Sequence, residues 1–279
     1  MTVALRALAL GFSLLGFFAI GVPVQRLARA RGWTLAGRIP VFFSRTLCRL
    51  LRITIHFHGR VSTAGGSLVV ANHVSWTDIL VLGTREPMSF LAKSEVAAWP
   101  LLGAFARAQG TVFVDRQRKS CVPIVNAAIA DAMRRGRRVV LFPEATTSDG
   151  TRLKPFFSSH FAAAISAQAT IQPVVIVYAR RDGLPLGRAG RAALAWYGDL
   201  TLLPHLLALL RGGPVDCHVV FADPIAAGPE SDRKALARAA EMAIRKTLRA
   251  AQSGIGVENS VPAMPSGAKA AVLLYVKTA

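Results

Sequence analysis

From residue 53 onward, short runs rich in Val, Ile and Phe alternate with longer amphipathic stretches, and this alternation restricts the fold more than any other feature. Ile53–His58, Ser67–Ala71, Met88–Ala92, Thr111–Val114, Arg138–Phe142, Pro173–Tyr178 and Cys217–Phe221 read as strands, each bounded by Gly, Pro or charge. Residues 120–135 and 158–168 read as helices between them. The expected class is α/β, a largely buried sheet covered by helices. Gly228–Gln252 reads as a polar surface helix, and beyond Ser253 the pattern fades into a tail with a short apolar patch, AAVLLYV. The expected division is an N-terminal membrane segment (1–52), one α/β domain (53–252) and a C-terminal extension (253–279).

Ahead of the sheet lies a different kind of sequence. Ala7–Val24 is an uncharged run of 18 residues, at the lower limit for a helix that spans a bilayer. Arg6 precedes it and Arg26, Arg29 and Arg31 follow. Basic residues crowd the position where a signal peptidase would need small ones, so a retained anchor is favoured over a cleaved signal or a buried helix. The arginines place the side after the run in the cytoplasm. Residues 39–52 read as a second helix with Arg45, Arg49 and Arg52 along one face, suited either to anionic lipid or to packing on the domain.

The net charge is +19, from 34 Lys and Arg against 15 Asp and Glu, which calls for an anionic partner. The arginines nearest the N-terminus lie among apolar helices, which favours anionic membrane lipid over nucleic acid. Cys48, Cys121 and Cys217 are too far apart for a CxxC or metal spacing, and a reduced, cytoplasmic-facing domain follows. No Gly-x-Ser-x-Gly elbow, GxxxxGK[ST] or GxGxxG is present, so serine hydrolase and nucleotide-binding readings lack their motifs.

The first acidic residue of the chain is Asp78, after seventy-seven residues that contain nine arginines. It lies in Ala71-Asn72-His73-Val74-Ser75-Trp76-Thr77-Asp78, directly after the apolar run SLVVA. Ser75-x-x-Asp78 matches a capping pattern, with a helix beginning at about Ser75. The same spacing lets Asp78 hold the His73 imidazole in one tautomer, so that the other ring nitrogen takes a proton from a hydroxyl. That is the base half of a Ser-His-Asp triad with a substrate hydroxyl in place of serine. On these residues alone, capping and catalysis both stand.

Three further segments follow in order: Gly110-Thr111-Val112-Phe113-Val114-Asp115-Arg116, Phe142-Pro143-Glu144-Ala145-Thr146-Thr147-Ser148 and Ile171-Gln172-Pro173-Val174. With Asn72-His73-x4-Asp78 they resemble the four blocks of the glycerolipid acyltransferases, of the bacterial 1-acyl-glycerol-3-phosphate acyltransferase type. Trp196-Tyr197-Gly198-Asp199 and Leu202-Leu203-Pro204-His205 are similar to it too, and the likeness runs from about Arg38 to Phe221. The resemblance implies that His73 is the general base and Asp78 orients it. It further implies that Phe113, Asp115, Arg116 and Glu144 belong to the acceptor pocket, with Arg116 facing its anionic head, that Asn72, Pro143, Thr146 and Thr147 are substrate-binding, and that Pro173 shapes the acyl-donor side. The implied donor is acyl-CoA or acyl carrier protein, with no metal or bound cofactor. The implied product is phosphatidic acid, made at the cytoplasmic membrane from 1-acyl-sn-glycerol-3-phosphate.

The third block departs from Phe-Pro-Glu-Gly-Thr-Arg-Ser. Ala145 replaces a glycine suited to positive φ, and Thr147 replaces an arginine associated with the acceptor's phosphate. The lysine usual after Pro155-Phe156 is also missing, with Arg152 or Lys154 as substitutes from the same loop. The Thr-Ser-Asp-Gly version is similar to that of the lyso-ornithine lipid acyltransferases, whose acceptor carries an amine and a carboxylate. Ornithine lipid synthesis is therefore the alternative.

Overall fold

The computed structural model describes residues 2–63, 65–99, 102–114 and 119–253. Asp115 and Arg116 of the second block, and residues 254–279 of the tail, lie outside the described residues.

Eight strands form one mixed sheet: β1 (Ile53–His58), β2 (Ser67–Ala71), β3 (Ser89–Lys93), β4 (Val112–Val114), β5 (Arg138–Leu141), β6 (Thr170–Arg181), β7 (Leu184–Pro185) and β8 (Val215–Phe221). Their order is β1-β8-β6-β2-β5-β3-β4, with β7 paired to β6. From β6 to β4 all neighbours are parallel, while β6 and β8 run antiparallel. The strands expected from sequence are all present within a few residues. The differences are the short β7 and a longer β6, which continues to Arg181 along the antiparallel ladder with β8.

Both faces of the sheet are covered, which is why its strands read as unbroken apolar runs. Side chains alternate between the two cores: Val69 and Ala71 of β2 enter one, Leu68 and Val70 the other. The second core is closed by α6 (Val122–Arg134), α7 (Ala162–Ala167) and α10 (Arg233–Gln252). The expectation of a polar surface helix at the C-terminus needs correction: Leu236, Ala240, Ile244 and Leu248 bury one complete face of α10. Its start is five residues later than Gly228, where the Asp232 carboxylate accepts the Ala235 N–H at 2.8 Å.

The first core contains the N-terminal helices. A continuous helical stretch runs from α1 (Val3–Gly16) through a π-turn, Phe17–Gly21, into α2 (Val22–Ala30). Val3–Ala30 is long and apolar enough to cross a membrane. Phe17 stacks on Phe43 of α3 (Leu35–Leu50) with centroids 3.9 Å apart, and Phe105 of α5 (Leu102–Ala108) meets both edge-on. The change at residue 52 is therefore a change of composition and not a break in packing.

Helix α3 begins four residues before the expected start and carries Pro40 inside it. Proline has no N–H to give the carbonyl four residues back. That carbonyl, Ala36 O, is instead met by the buried Gln25 amide of α2 at 2.9 Å, and the same nitrogen reaches Ala108 O at 2.8 Å. One side chain thus satisfies a helix defect and fastens α2 to the domain. Cys48, Cys121 and Cys217 are free, and burial pushes the Cys48 thiol up to about 12, so it behaves as an apolar core group.

At the open edge of the sheet, His56 and His58 of β1 stack against His218 of β8. His58 Nε2 lies 2.8 Å from His218 Nδ1, and His56 Nε2 lies 3.0 Å from Asp216. Burial lowers the His218 pKa to about 4; the charges of His56, His58 and Arg180 push the same way and Asp216 opposes them. The neutral ring is therefore the form the fold favours. Its contribution is complete above the ordinary histidine value of about 6.5 and is lost as pH falls toward 4, because the unfolded chain binds the proton first. Urea unfolding across this window should show the wild-type chain losing stability with acid more steeply than His218→Gln; equal slopes would rule the effect out.

Candidate active site

The five parallel strands β6, β2, β5, β3 and β4 all end on the same side of the sheet, and the turn after β2 carries Asn72 and His73 there. Asn72 is buried. Its Nδ2 donates to Ile176 O at 3.0 Å and its Oδ1 accepts the Ile176 N–H at 2.8 Å. The amide imitates a peptide group and prolongs the β2–β6 ladder by one step. Its polar atoms are committed to the scaffold, so Asn72 fixes where the chain leaves the sheet.

The next residue turns its ring toward Asp78, at the start of α4 (Thr77–Gly83). His73 Nδ1 lies 2.9 Å from Asp78 Oδ2, and the ring stacks on Phe142 with centroids 3.9 Å apart. Asp78 has no solvent exposure. The same Oδ2 accepts the Val74 and Ser75 N–H groups at 2.7 and 2.9 Å, and Oδ1 accepts the Tyr178 hydroxyl at 2.8 Å. A carboxylate can only accept, so Nδ1 carries a proton and the lone pair of the neutral ring is on Nε2. The His73 side chain retains 18% of its exposure.

Tyr178 was not singled out from sequence, although a buried phenol in an apolar strand needs an acceptor. Burial and the adjacent Asp78 charge raise its pKa well above the ordinary value, so it remains a donor. Since its proton goes to Asp78, the 2.6 Å contact with Thr77 is a bond donated by the threonine. The helix begins at Thr77, two residues after the expected start. Ser75 Oγ accepts from Thr77 N–H at 3.4 Å, and the strong half of the capping arrangement is Asp78 reaching back to Ser75 N–H. Capping and orientation of the imidazole are performed by one carboxylate.

Glu144 is placed differently from the expected pocket wall. It is buried, with Oε1 accepting the His73 N–H and Oε2 the Lys154 N–H, each at 2.8 Å. Burial raises its pKa and those two N–H groups pull against the rise. It clamps the histidine turn to the 145–154 loop. The Ser148 N–H and hydroxyl both reach His73 O, at 2.9 and 3.2 Å, so the loop folds back over the turn. Phe142-Pro143-Glu144-Ala145 is a tight turn, closed by Ala145 N–H on Phe142 O, with Pro143 where its fixed φ is suited. Ala145 has φ +57°, the left-handed region anticipated for this position, at a cost of about 1–2 kcal/mol for a residue with a Cβ.

Thr146 is exposed, and Thr147 O accepts Lys154 Nζ at 2.9 Å, so Lys154 approaches the place of the missing arginine. Asp149, next to Ser148, holds the Thr151 hydroxyl at 2.8 Å; its pKa is lowered, the N–H and hydroxyl of Thr151 and Arg152 outweighing burial. Two sequence-predicted residues stand apart. Pro173 is buried within β6, opposite Val70, its carbonyl taken by Ala222 N–H. Phe113 is on β4, three strands from β2, or about 14 Å at the usual spacing.

The later stretches do meet the turn. Trp196 N–H donates to Val74 O at 2.9 Å. The Trp76 indole donates to His205 Nδ1 at 3.0 Å, and His205 Nε2 faces Leu194 O at 3.3 Å. Burial lowers the His205 pKa, so it serves as a neutral strut between α9 (Leu202–Arg211) and the turn.

Comparison with known proteins places the chain in a family and a fold. The acyltransferase family model matches residues 52–177. A lyso-ornithine lipid O-acyltransferase of Brucella abortus (strain 2308) is 39% identical over 259 residues, covering 90% of this chain and 94% of its own. A 1-acyl-sn-glycerol-3-phosphate acyltransferase of Neisseria meningitidis serogroup B is 36% identical over 183 residues, covering 66% of this chain and 69% of its own. The crystal structure of the 1-acyl-sn-glycerophosphate acyltransferase of Thermotoga maritima has the same fold, with a TM-score of 0.64 at 19% identity over 88% of this chain and 94% of that one.

Tyr178→Phe removes a donor from a buried carboxylate and should destabilise the protein by about 1–3 kcal/mol. A urea midpoint equal to that of the wild type would show that Asp78 Oδ1 is satisfied in another way.

Proposed function

The chain belongs to the acyltransferase family, and on that premise we propose that it transfers a fatty acyl group from a thioester donor to the hydroxyl of a lyso-ornithine lipid. The observation that carries the chemistry is the His73 Nδ1–Asp78 Oδ2 contact of 2.9 Å in a turn whose other backbone groups are held by Glu144, Ser148 and Trp196. His73 Nε2 takes the acceptor's hydroxyl proton. The oxygen attacks the thioester carbonyl, and the collapsing intermediate breaks the C–S bond. The imidazolium returns its proton to the leaving sulfur. Asp78 stabilises the transient imidazolium without itself being protonated.

The acceptor follows from the loop that folds over the histidine. A phosphate-bearing acceptor would use the bidentate arginine whose place Thr147 takes. The loop provides instead a carboxylate, Asp149, and an ammonium, Lys154, a pair matched to the amine and carboxylate of ornithine. The Brucella relative, matched along nearly the whole chain, carries the lyso-ornithine lipid name. This reverses the order in which the sequence blocks alone ranked the two acceptors. Lysophosphatidate is the second reading, supported by the Neisseria relative and by the loop cations Arg152 and Lys154. The donor is acyl-CoA or acyl carrier protein, and no metal or bound cofactor takes part. The catalytic domain works on the cytoplasmic face of the inner membrane, where the arginines after the apolar helix meet anionic lipid.

His73→Ala should lower acyl transfer by about 10²–10⁴-fold in a protein that still folds, with a stability loss of the same order as Tyr178→Phe because Asp78 loses a donor in both. Near-wild-type turnover in that variant would sink the mechanism. Offered lyso-ornithine lipid and lysophosphatidate separately, each with acyl-CoA and with acyl carrier protein, the purified protein should turn over the ornithine lipid with the higher kcat/KM. The reverse preference would return lysophosphatidate to first place.

A further inference from the structure

At the opposite end of β2 from His73 lies a cavity of about 920 Å³. Arg45 and Arg49 of α3 and Arg52, between α3 and β1, line one side of it, Arg85 and Glu86 follow α4, and Arg138 opens β5. Arg138 is paired in register with Ser67, six residues before His73, which puts the two sites about 20 Å apart along the strand. The arginine face of α3, expected to lie on open lipid or to pack on the domain, is thus one wall of a cavity whose other walls come from the sheet.

The charges in this cavity do not balance. Five guanidinium groups share one carboxylate, Glu86, which is taken by Arg138 at 2.9 Å. Arg138 also donates to Ser62 O, and Arg45 spends only its Nε, on Thr84 O at 2.7 Å. The Arg85 guanidinium carbon lies 5.1 Å from the centroids of both Phe57 and Phe221. Burial lowers its pKa; Glu86 opposes that and the Arg138 charge adds to it. Among the described residues neither Arg49 nor Arg52 has an ion-pair partner. A guanidinium has five N–H donors in a planar fork, and those of the exposed Arg45, Arg49 and Arg52 that make no protein bond face solvent, where an anion can take them. Like charges gathered in one cavity repel, and an anion relieves that repulsion as it binds. Beside the cations, Ile55, Phe57 and Val61 give the cavity an apolar side.

We propose that this cavity is a second binding site, distinct from the acyl-transfer site, for a phosphate group, carried by a membrane lipid or free in solution. Arg49 and Arg52 take the phosphate oxygens, Arg45 and Arg85 neutralise its remaining charge, and the apolar wall accepts the glycerol and first acyl carbons when the carrier is a lipid. The site does not depend on which acceptor His73 serves.

The test uses full-length protein in zwitterionic detergent, titrated with dihexanoyl phosphatidylglycerol and, separately, with inorganic phosphate. Dihexanoyl phosphatidylcholine is the control without net charge. Binding is read by calorimetry and by the thermal midpoint. Saturable binding of the phosphatidylglycerol, weakened about tenfold or more in Arg49→Glu/Arg52→Glu and by added salt, is the expected result. Inorganic phosphate binding with the same dependence on these arginines assigns the site to free phosphate; lipid binding without it assigns a headgroup. Arg49→Gln and Arg85→Gln serve as milder variants should the double variant fail to fold. Absence of binding by both probes, binding of phosphatidylcholine as tight as phosphatidylglycerol, or equal affinity in the wild type and the variants would overturn the proposal.

Discussion

A carboxylate without contact to water has to be satisfied by the protein alone, and at Asp78 that requirement organises the whole site. Two backbone N–H groups, a phenol and an imidazole converge on its two oxygens. Each donor comes with its own structural commitment. The N–H groups fix the turn after β2, the phenol ties that turn to β6, and the imidazole is thereby presented with its far nitrogen unprotonated. Removing the charge would loosen the turn as well as the ring, so geometry and electrostatics at this position are one property.

Around this centre the rest of the scaffold works on the backbone of the turn. Glu144 holds the His73 N–H, Ser148 its carbonyl, and Trp196 the carbonyl of Val74. Asn72 locks the exit from the strand, and His205 braces Trp76. Residues from four separate regions therefore spend their polar atoms on keeping a few residues of chain in place. The direction of the parallel strands puts the histidine at one end of β2 and the arginine cavity at the other. Two chemistries are thereby separated by the length of a rigid strand.

Much of this could be read in the sequence, for reasons that are local. Strands buried on both faces announce themselves as apolar runs, and the Asn72-His73-x4-Asp78 spacing is short enough for its geometry to be anticipated. The αL conformation at Ala145 was legible because its place is one where glycine is suited. What was hidden depends on distant contacts. Tyr178 reads as one more strand residue until its partner, a hundred positions earlier, is known. Glu144 reads as a pocket acid until both its oxygens are found on backbone N–H groups. The buried face of α10 was masked by an Arg-, Lys- and Ala-rich composition, and the role of Pro40 emerges only with Gln25 beside it.

The N-terminal helix bears on how the enzyme meets a membrane. Near its start, Arg6 donates to Leu210 O of α9; near its end, Gln25 and Arg29 donate to Ala108 O. A helix moored at both ends to the same domain cannot cross a bilayer without casting off one of them. While both moorings hold, Leu5, Leu8, Phe12, Leu15 and Ile20 face outward along its flank. The docked helix thereby gives the outside of the domain an apolar flank that no other part of the fold covers among the described residues.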